Sequence, residues 1–130
     1  MKKHIQVAAA VIFQNGQFLL SKRKDDQHQG GKWEFPGGKI DEGESIEQAL
    51  SRELKEELDI EVTEQAEFMA LDFEYPEKKV SLYFQLVTDF NGKEHGVEGQ
   101  MVNWFSYQEM QQLTFPDANK PVLEKIESLV

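Results

Sequence analysis

Residues 32–60 read KWEFPGGKIDEGESIEQALSRELKEELDI, and the second half of this stretch decides the fold. From Ser45 onward the apolar residues Ile46, Leu50, Leu54 and Leu58 recur every four positions. At about 100° per residue they form one stripe of a helix over 45–58, and that stripe needs a sheet to cover it. Glu53, Glu56 and Glu57 stand in the i, i+3, i+4 relation on an arc beside the stripe. Like charges that close repel, by a few tenths of a kcal/mol per pair in water and more at the edge of a core. A hard divalent cation reverses the sign of that cost, because Mg²⁺ takes oxygen ligands and shares phosphate oxygens with a substrate. The alternative is a solvated acidic face held by pairs such as Arg52 with Glu56.

Strand signals flank the helix. HIQVAAAVIF (4–13) reads as a buried strand, Asn15-Gly16 as a hairpin turn and QFLLSKRK (17–24) as the return strand. Residues 25–32 are polar and glycine-rich, which predicts a loop. WEFPGGK (33–39) predicts a short extended piece ending in a Pro-Gly-Gly turn. EVTEQAEFMALDFEY (61–75) and KKVSLYFQLVTDF (78–90) predict two strands joined around Pro76 and Glu77. GQMVNWFSY (99–107) is a further strand, SYQEMQQL (106–113) a short helix and DANKPVLEKIESLV (117–130) a closing helix. Strands, helix, strands and helix with hairpin connections imply an α+β fold. The expected architecture is an α/β/α sandwich with a mixed β-sheet between helices, not a doubly wound parallel sheet.

The chain has 130 residues, a formal charge of −10 and no cysteine. The length suits one domain spanning 1–130. Absence of cysteine excludes disulfides and thiolate metal sites and suits a cytoplasmic protein. The acidity argues against nucleic-acid polymers, which need clustered Lys and Arg. The opening MKKHIQVAAAVIF reads as a strand rather than a leader, because Gln6 interrupts the apolar run. No apolar run approaches the roughly 20 residues of a membrane helix. The Gly-Lys pairs lack the Ser or Thr of a phosphate-binding P-loop. Residues 89–100 lack the glycine and glutamate a calcium loop requires.

Gly38, Glu44, Arg52-Glu53-Leu54, Glu56-Glu57 and Ile60 together resemble the Nudix box, G-x5-E-x7-R-E-U-x-E-E-x-G-U. Asp59 stands where the box has glycine. A left-handed helix cap is the role expected there, and Asp tolerates that conformation better than most residues, at a cost on the order of 1 kcal/mol. The resemblance extends to MutT-type 8-oxo-dGTP diphosphatases through KWEFPGGKI (32–40), FEYPEKKVSLYF (73–84), GVEGQ (96–100) and FPDANKPVLEKI (115–126).

The resemblance implies a metal site for Mg²⁺ (or Mn²⁺) built from Glu53, Glu56, Glu57, Glu98 and the Gly37 carbonyl. Arg52 would orient the carboxylates, and Glu44 would hold the box loop or a metal-bound water. Water would attack the β-phosphorus of a nucleoside triphosphate, with Glu53 or Glu98 as base. Asn119 would read the purine edge, since an amide carries both donor and acceptor; capping the last helix is its other reading. Phe35 and Tyr75 would wall the base pocket, with core packing as the alternative. Arg23, His28, Gly38 and Lys78 complete the expected substrate contacts, Arg23 to a phosphate or the base. For His28 and Lys78 a plain surface role competes. The expected partner is a small nucleoside triphosphate, with no polymer, no membrane and a monomeric protein. A hydrolase for CTP or a modified pyrimidine triphosphate, and a non-catalytic nucleotide-binding module, are the competing functions.

Overall fold

The computed structural model describes residues 2–23 and 31–130. Strand β1 (Lys3–Gln14) is central, and Ala8 to Ile12 are buried without interruption. A strand covered on both faces needs a continuous apolar run rather than an alternating one. One edge of β1 pairs in parallel with β6 (Lys78–Asn91), from Lys3 opposite Lys78 to Ile12 opposite Val87. Its other edge is shared. Strand β2 (Gln17–Lys22) takes Ile12 to Gln14 through the hairpin at Asn15-Gly16, both with positive φ as a type I′ turn needs. Strand β4 (Gly37–Lys39) takes Val7 to Ala9. Strand β3 (Trp33–Glu34) lies on β2, β5 (Glu61–Glu74) on β6, and β7 (Val102–Ser106) on the opposite edge of β2. The sheet is therefore mixed, as the sequence implied.

Helix α1 (Ile46–Leu58) covers one face and buries Leu50, Leu54 and Leu58 against Ala8, Ala10, Ile12 and Leu19. Ser45 and Gln48 form a reciprocal capping box at its start. The other face carries α3 (Lys120–Ile126) and the single turn α2 (Tyr107–Met110), over a core that includes Val11, Phe18, Phe35 and Phe84. Helices on both faces of a mixed sheet give the expected α/β/α arrangement.

Three local expectations are corrected. The Pro-Gly-Gly segment is not a turn: Gly37–Lys39 is a strand laid antiparallel on β1. A Cβ at Gly37 would stand 2.0 Å from the Ala8 carbonyl oxygen, so only glycine permits this approach. The helix predicted over 106–113 stops at Met110, and the next three residues close as i→i−3 turns. The closing helix is broken into a 3-10 turn (Asp117–Asn119), α3, and a second 3-10 turn (Glu127–Leu129).

Candidate active site

The site forms where β1 changes partner from β2 to β4. Between these partners the chain runs through Glu34, Phe35 and Pro36, and the Pro36 carbonyl accepts from the Ala10 N–H at 2.8 Å. Alternation along the strand sends Phe35 to the α3 face, where it packs against Phe84 and Phe115 with centroids 5.9 Å away in each case. Gly37 and Gly38 then pass directly beneath α1. A Cβ on Gly38 would stand 2.4 Å from the Glu53 carboxylate, so the two glycines let α1 press its glutamates onto the strand backbone.

Glu57 is partly buried, and its carboxylate accepts from the Gly37 N–H. Burial, followed by Glu53, Glu34 and Glu98, pushes its pKa up to about 8 against that hydrogen bond. The Glu98 side chain is exposed, and it acts on Glu57 from a distance because its loop is fastened to the end of α1. The Glu57 carbonyl accepts from the Val97 N–H at 3.0 Å and from Gln100 Nε2 at 3.2 Å, and the Leu58 carbonyl accepts from the His95 N–H at 3.1 Å. These bonds satisfy helix-end carbonyls that would otherwise lack partners. Gly96 is required by the same loop, since a Cβ there would stand 1.9 Å from the Gln100 carbonyl oxygen.

Arg52 organises the adjacent side. It donates from Nε and Nη2 to both oxygens of Glu44, at 2.7 and 2.8 Å, and from Nη1 to Glu53 at 2.9 Å. Its Nη2 also reaches the Lys39 carbonyl at 3.1 Å. Glu44 in turn accepts from the Asp41 N–H at 2.8 Å. Arg52 and that N–H hold the Glu44 carboxyl down at about 2. Glu44 and Glu53 together push the Arg52 guanidinium further up. Glu44 thus belongs to the loop-holding frame. The bidentate grip of Arg52 falls on Glu44, and Glu53 receives a single oriented bond.

Not every expected residue joins this cluster. Glu53 is 14% exposed, but Glu56 is 59% exposed and only approaches Arg52 at 3.5 Å. Tyr75 and Lys78 form the β5–β6 turn, where the Tyr75 N–H donates to the Lys78 carbonyl and the ammonium lies 5.6 Å from the ring centroid. Lys78 sits opposite Lys3 and Gly37 opposite Ala9. Those six positions of β1 separate the turn from the cluster by roughly 20 Å along the strand. Asn119 does not cap α3 through its side chain; its Nδ2 is 3.5 Å from the Pro116 carbonyl. The segment before it is tied to β3 by the Trp33 N–H, which donates to the Thr114 carbonyl at 2.8 Å. Arg23 pairs with Glu34 at 2.6 Å. His28 lies outside the described residues.

Sequence reasoning missed Glu34. The signal was present: if Phe35 faces one side of the sheet, its neighbour faces the other, which is the side of the α1 glutamates. Among the described residues no three acidic or imidazole side chains converge closely enough in this conformation to hold an ion. The donor chemistry nonetheless fits a hard divalent cation, because Glu57 is crowded by like charges that such a cation would offset. Among the described residues no helix is long and apolar enough to cross a membrane.

Comparison with known proteins identifies the family. The 8-oxo-dGTP diphosphatase of Escherichia coli (strain K12) is 39% identical over 128 residues, covering 98% of this chain and 99% of that protein. A CTP pyrophosphohydrolase of the same organism is 39% identical over 127 residues, covering 98% of this chain and 94% of its own. A solved MutT, from work on the Aliivibrio salmonicida and Vibrio cholerae proteins, superposes with a TM-score of 0.87 at 42% identity, covering 98% of this chain and 100% of that one. The model of the NUDIX domain matches residues 2–126, and this chain belongs to the NUDIX domain family.

Proposed function

We propose that this protein is a nucleoside triphosphate pyrophosphohydrolase whose substrate is 8-oxo-dGTP, releasing 8-oxo-dGMP and pyrophosphate. The observation that carries the hydrolytic reading is Glu57, held on the Gly37 N–H among Glu53, Glu34 and Glu98. A folded chain tolerates such crowding where a cation compensates it. We assign Glu53, Glu57, Glu98 and the Gly37 carbonyl as oxygen donors for Mg²⁺ or Mn²⁺, with Glu56 joining from the solvent edge. When bound, the cation supplies neutralisation of phosphate oxygens and a lower cost of forming hydroxide.

The chain's own residues do the rest. Arg52 fixes the rotamer of Glu53, which takes the proton of the attacking water, with Glu98 as the alternative base. The water oxygen bonds to the β-phosphorus, and the bond from that phosphorus to the oxygen bridging the α-phosphate breaks. The monophosphate leaves with the bridging oxygen, and pyrophosphate carries the oxygen of water. Phe35 forms the floor of the base side. The Asn119 amide, not used as a helix cap, reads the base edge. Gly38 allows the phosphates to approach the backbone. Tyr75 and Lys78, on the β5–β6 turn, are the more distant assigned contacts, and His28 is assigned to the substrate on the sequence resemblance alone. We assign the work to a single-domain monomer acting on the cytoplasmic nucleotide pool, where removal of oxidised guanine limits mutation.

The similarity to a CTP pyrophosphohydrolase supports a second reading. Turnover of 8-oxo-dGTP, dGTP and CTP with Mg²⁺ separates them: the highest kcat/KM is expected for 8-oxo-dGTP, and equal or better use of CTP would replace the first reading by the second. Glu53→Gln is expected to lower pyrophosphate release by about 10²–10⁴-fold, the usual worth of a positioned base. Unchanged release in that variant would remove Glu53 from the chemistry.

A further inference from the structure

The ladder between β2 and β3 places Ser21 opposite Glu34 and Lys22 opposite Trp33. It continues through the Arg23 N–H, which donates to the Lys32 carbonyl at 2.8 Å, and the Gly31 N–H, which donates to the Arg23 carbonyl at 3.1 Å. Residues directly opposite share a face, so Ser21, Glu34 and Arg23 stand on one side, and Lys22, Trp33 and Phe35 on the other. Leu19, two positions before Ser21, packs in the α1 core. Leu20 and Trp33 belong to the α3 core. Arg23 and Glu34 therefore face the α1 glutamates and not the side of Phe35. They are diagonal neighbours across the ladder, within reach of a long side chain. Arg23 Nη1 meets Glu34 Oε1 at 2.6 Å, with each side chain about a third exposed or less. The Glu34 carboxylate also lies close enough to act on Glu57.

We propose that Glu34 is a positioning residue that holds the Arg23 guanidinium beside the carboxylate cluster, where it contacts a phosphate of the substrate, and keeps it off Glu53 and Glu57. A guanidinium on a flexible stem next to several carboxylates is drawn to them. One carboxylate that does not belong to the ion's donor set, placed at the rim of the cluster, gives that cation a fixed partner. Arg23 then reads phosphate and not base, because the register sets it on the opposite face from Phe35.

This inference rests on the hydrolytic reading above, and the two fail separately. The test compares wild type, E34Q, E34D, R23A and R23A/E34Q. It uses steady-state turnover of 8-oxo-dGTP and calorimetric binding of pyrophosphate with Mg²⁺. E34Q is expected to raise KM and weaken pyrophosphate binding by about tenfold, the worth of one charge-assisted contact, while kcat stays within about threefold. E34D keeps the charge and is expected to fall between wild type and E34Q. The double variant is expected to bind no worse than R23A, since Glu34 acts through Arg23. Wild-type pyrophosphate affinity in E34Q overturns the proposal, as does a further loss on adding E34Q to R23A. If E34Q does not fold, E34D decides: binding weakened relative to wild type supports the proposal, and unchanged binding overturns it. A wild type that releases no pyrophosphate from any nucleotide overturns the hydrolytic reading instead.

Discussion

Glu57 holds a proton in the folded protein across a range where the unfolded chain has lost it. Its pKa is pushed up from 4.5 to about 8, chiefly by burial and then by Glu53 and Glu34. Between those values the folded state binds more protons than the unfolded state, so stability of the metal-free protein falls as pH rises through this window. Glu44 acts in a separate window. Its carboxyl is held down at about 2, so its contribution is present above 4.5 and is lost only as pH falls below that. Glu57→Gln removes the ionisation and is expected to flatten the upper slope. Thermal and urea unfolding in EDTA between pH 5 and pH 8.5 check this. The variant should exceed wild type by about 1–3 kcal/mol near pH 8 and converge with it near pH 5. Parallel curves would show that Glu57 ionises as freely in the folded state as in the unfolded one.

At the scale of the element, the end of α1 shows how a departure from the box is absorbed. Asp59 adopts φ 58°, ψ 41°, the left-handed cap expected of the missing glycine, and its N–H donates to the Lys55 carbonyl. Lys55 Nζ pairs with Asp59 Oδ1 at 2.9 Å and offsets the negative charge placed at the negative end of the helix. This pair was visible in the sequence as an i, i+4 relation. Asp59→Gly relieves the backbone and loses only an exposed ion pair, so a higher urea midpoint is expected. Asp59→Ala raises the strain, because Ala lacks the short polar side chain that lets Asp tolerate the left-handed region, and it also loses the pair, so a lower urea midpoint is expected. Urea midpoints of the two variants should move in opposite directions; movement in the same direction would contradict the cap. On the other face, α3 is anchored where β5 is irregular. The β5–β6 register shifts between Glu67 and Met69, and the Phe68 carbonyl in that gap accepts from Lys125 Nζ, which also lies over the Phe68 ring.

At the scale of the whole molecule, a chain of charge −10 repels a polyanionic nucleotide at long range. Salt screens this repulsion over a Debye length of about 10 Å at 0.1 M. With the divalent cation held saturating, kcat/KM is expected to rise by about two- to fivefold as KCl increases from low to physiological strength. A fall would instead indicate that local cations such as Arg23 dominate the encounter. The sequence by itself determined the amphipathic stripe of α1, the buried central strand, the Asn15-Gly16 turn and the cap at Asp59. Each is a matter of residues a few positions apart, where chain geometry leaves little choice. It also marked the carboxylates of α1, because their spacing on a helix is fixed by the 3.6-residue turn. Only the tertiary structure decided which of them are crowded. Glu53 and Glu57 lie against Gly37 and Gly38 because β4 runs along β1, whereas Glu56, one residue away, stays in solvent. It likewise converted the Pro-Gly-Gly segment from turn to strand and brought Glu34 and Glu98 close enough to act on Glu57. Those placements depend on contacts between segments distant in sequence, and local propensity carries no information about them.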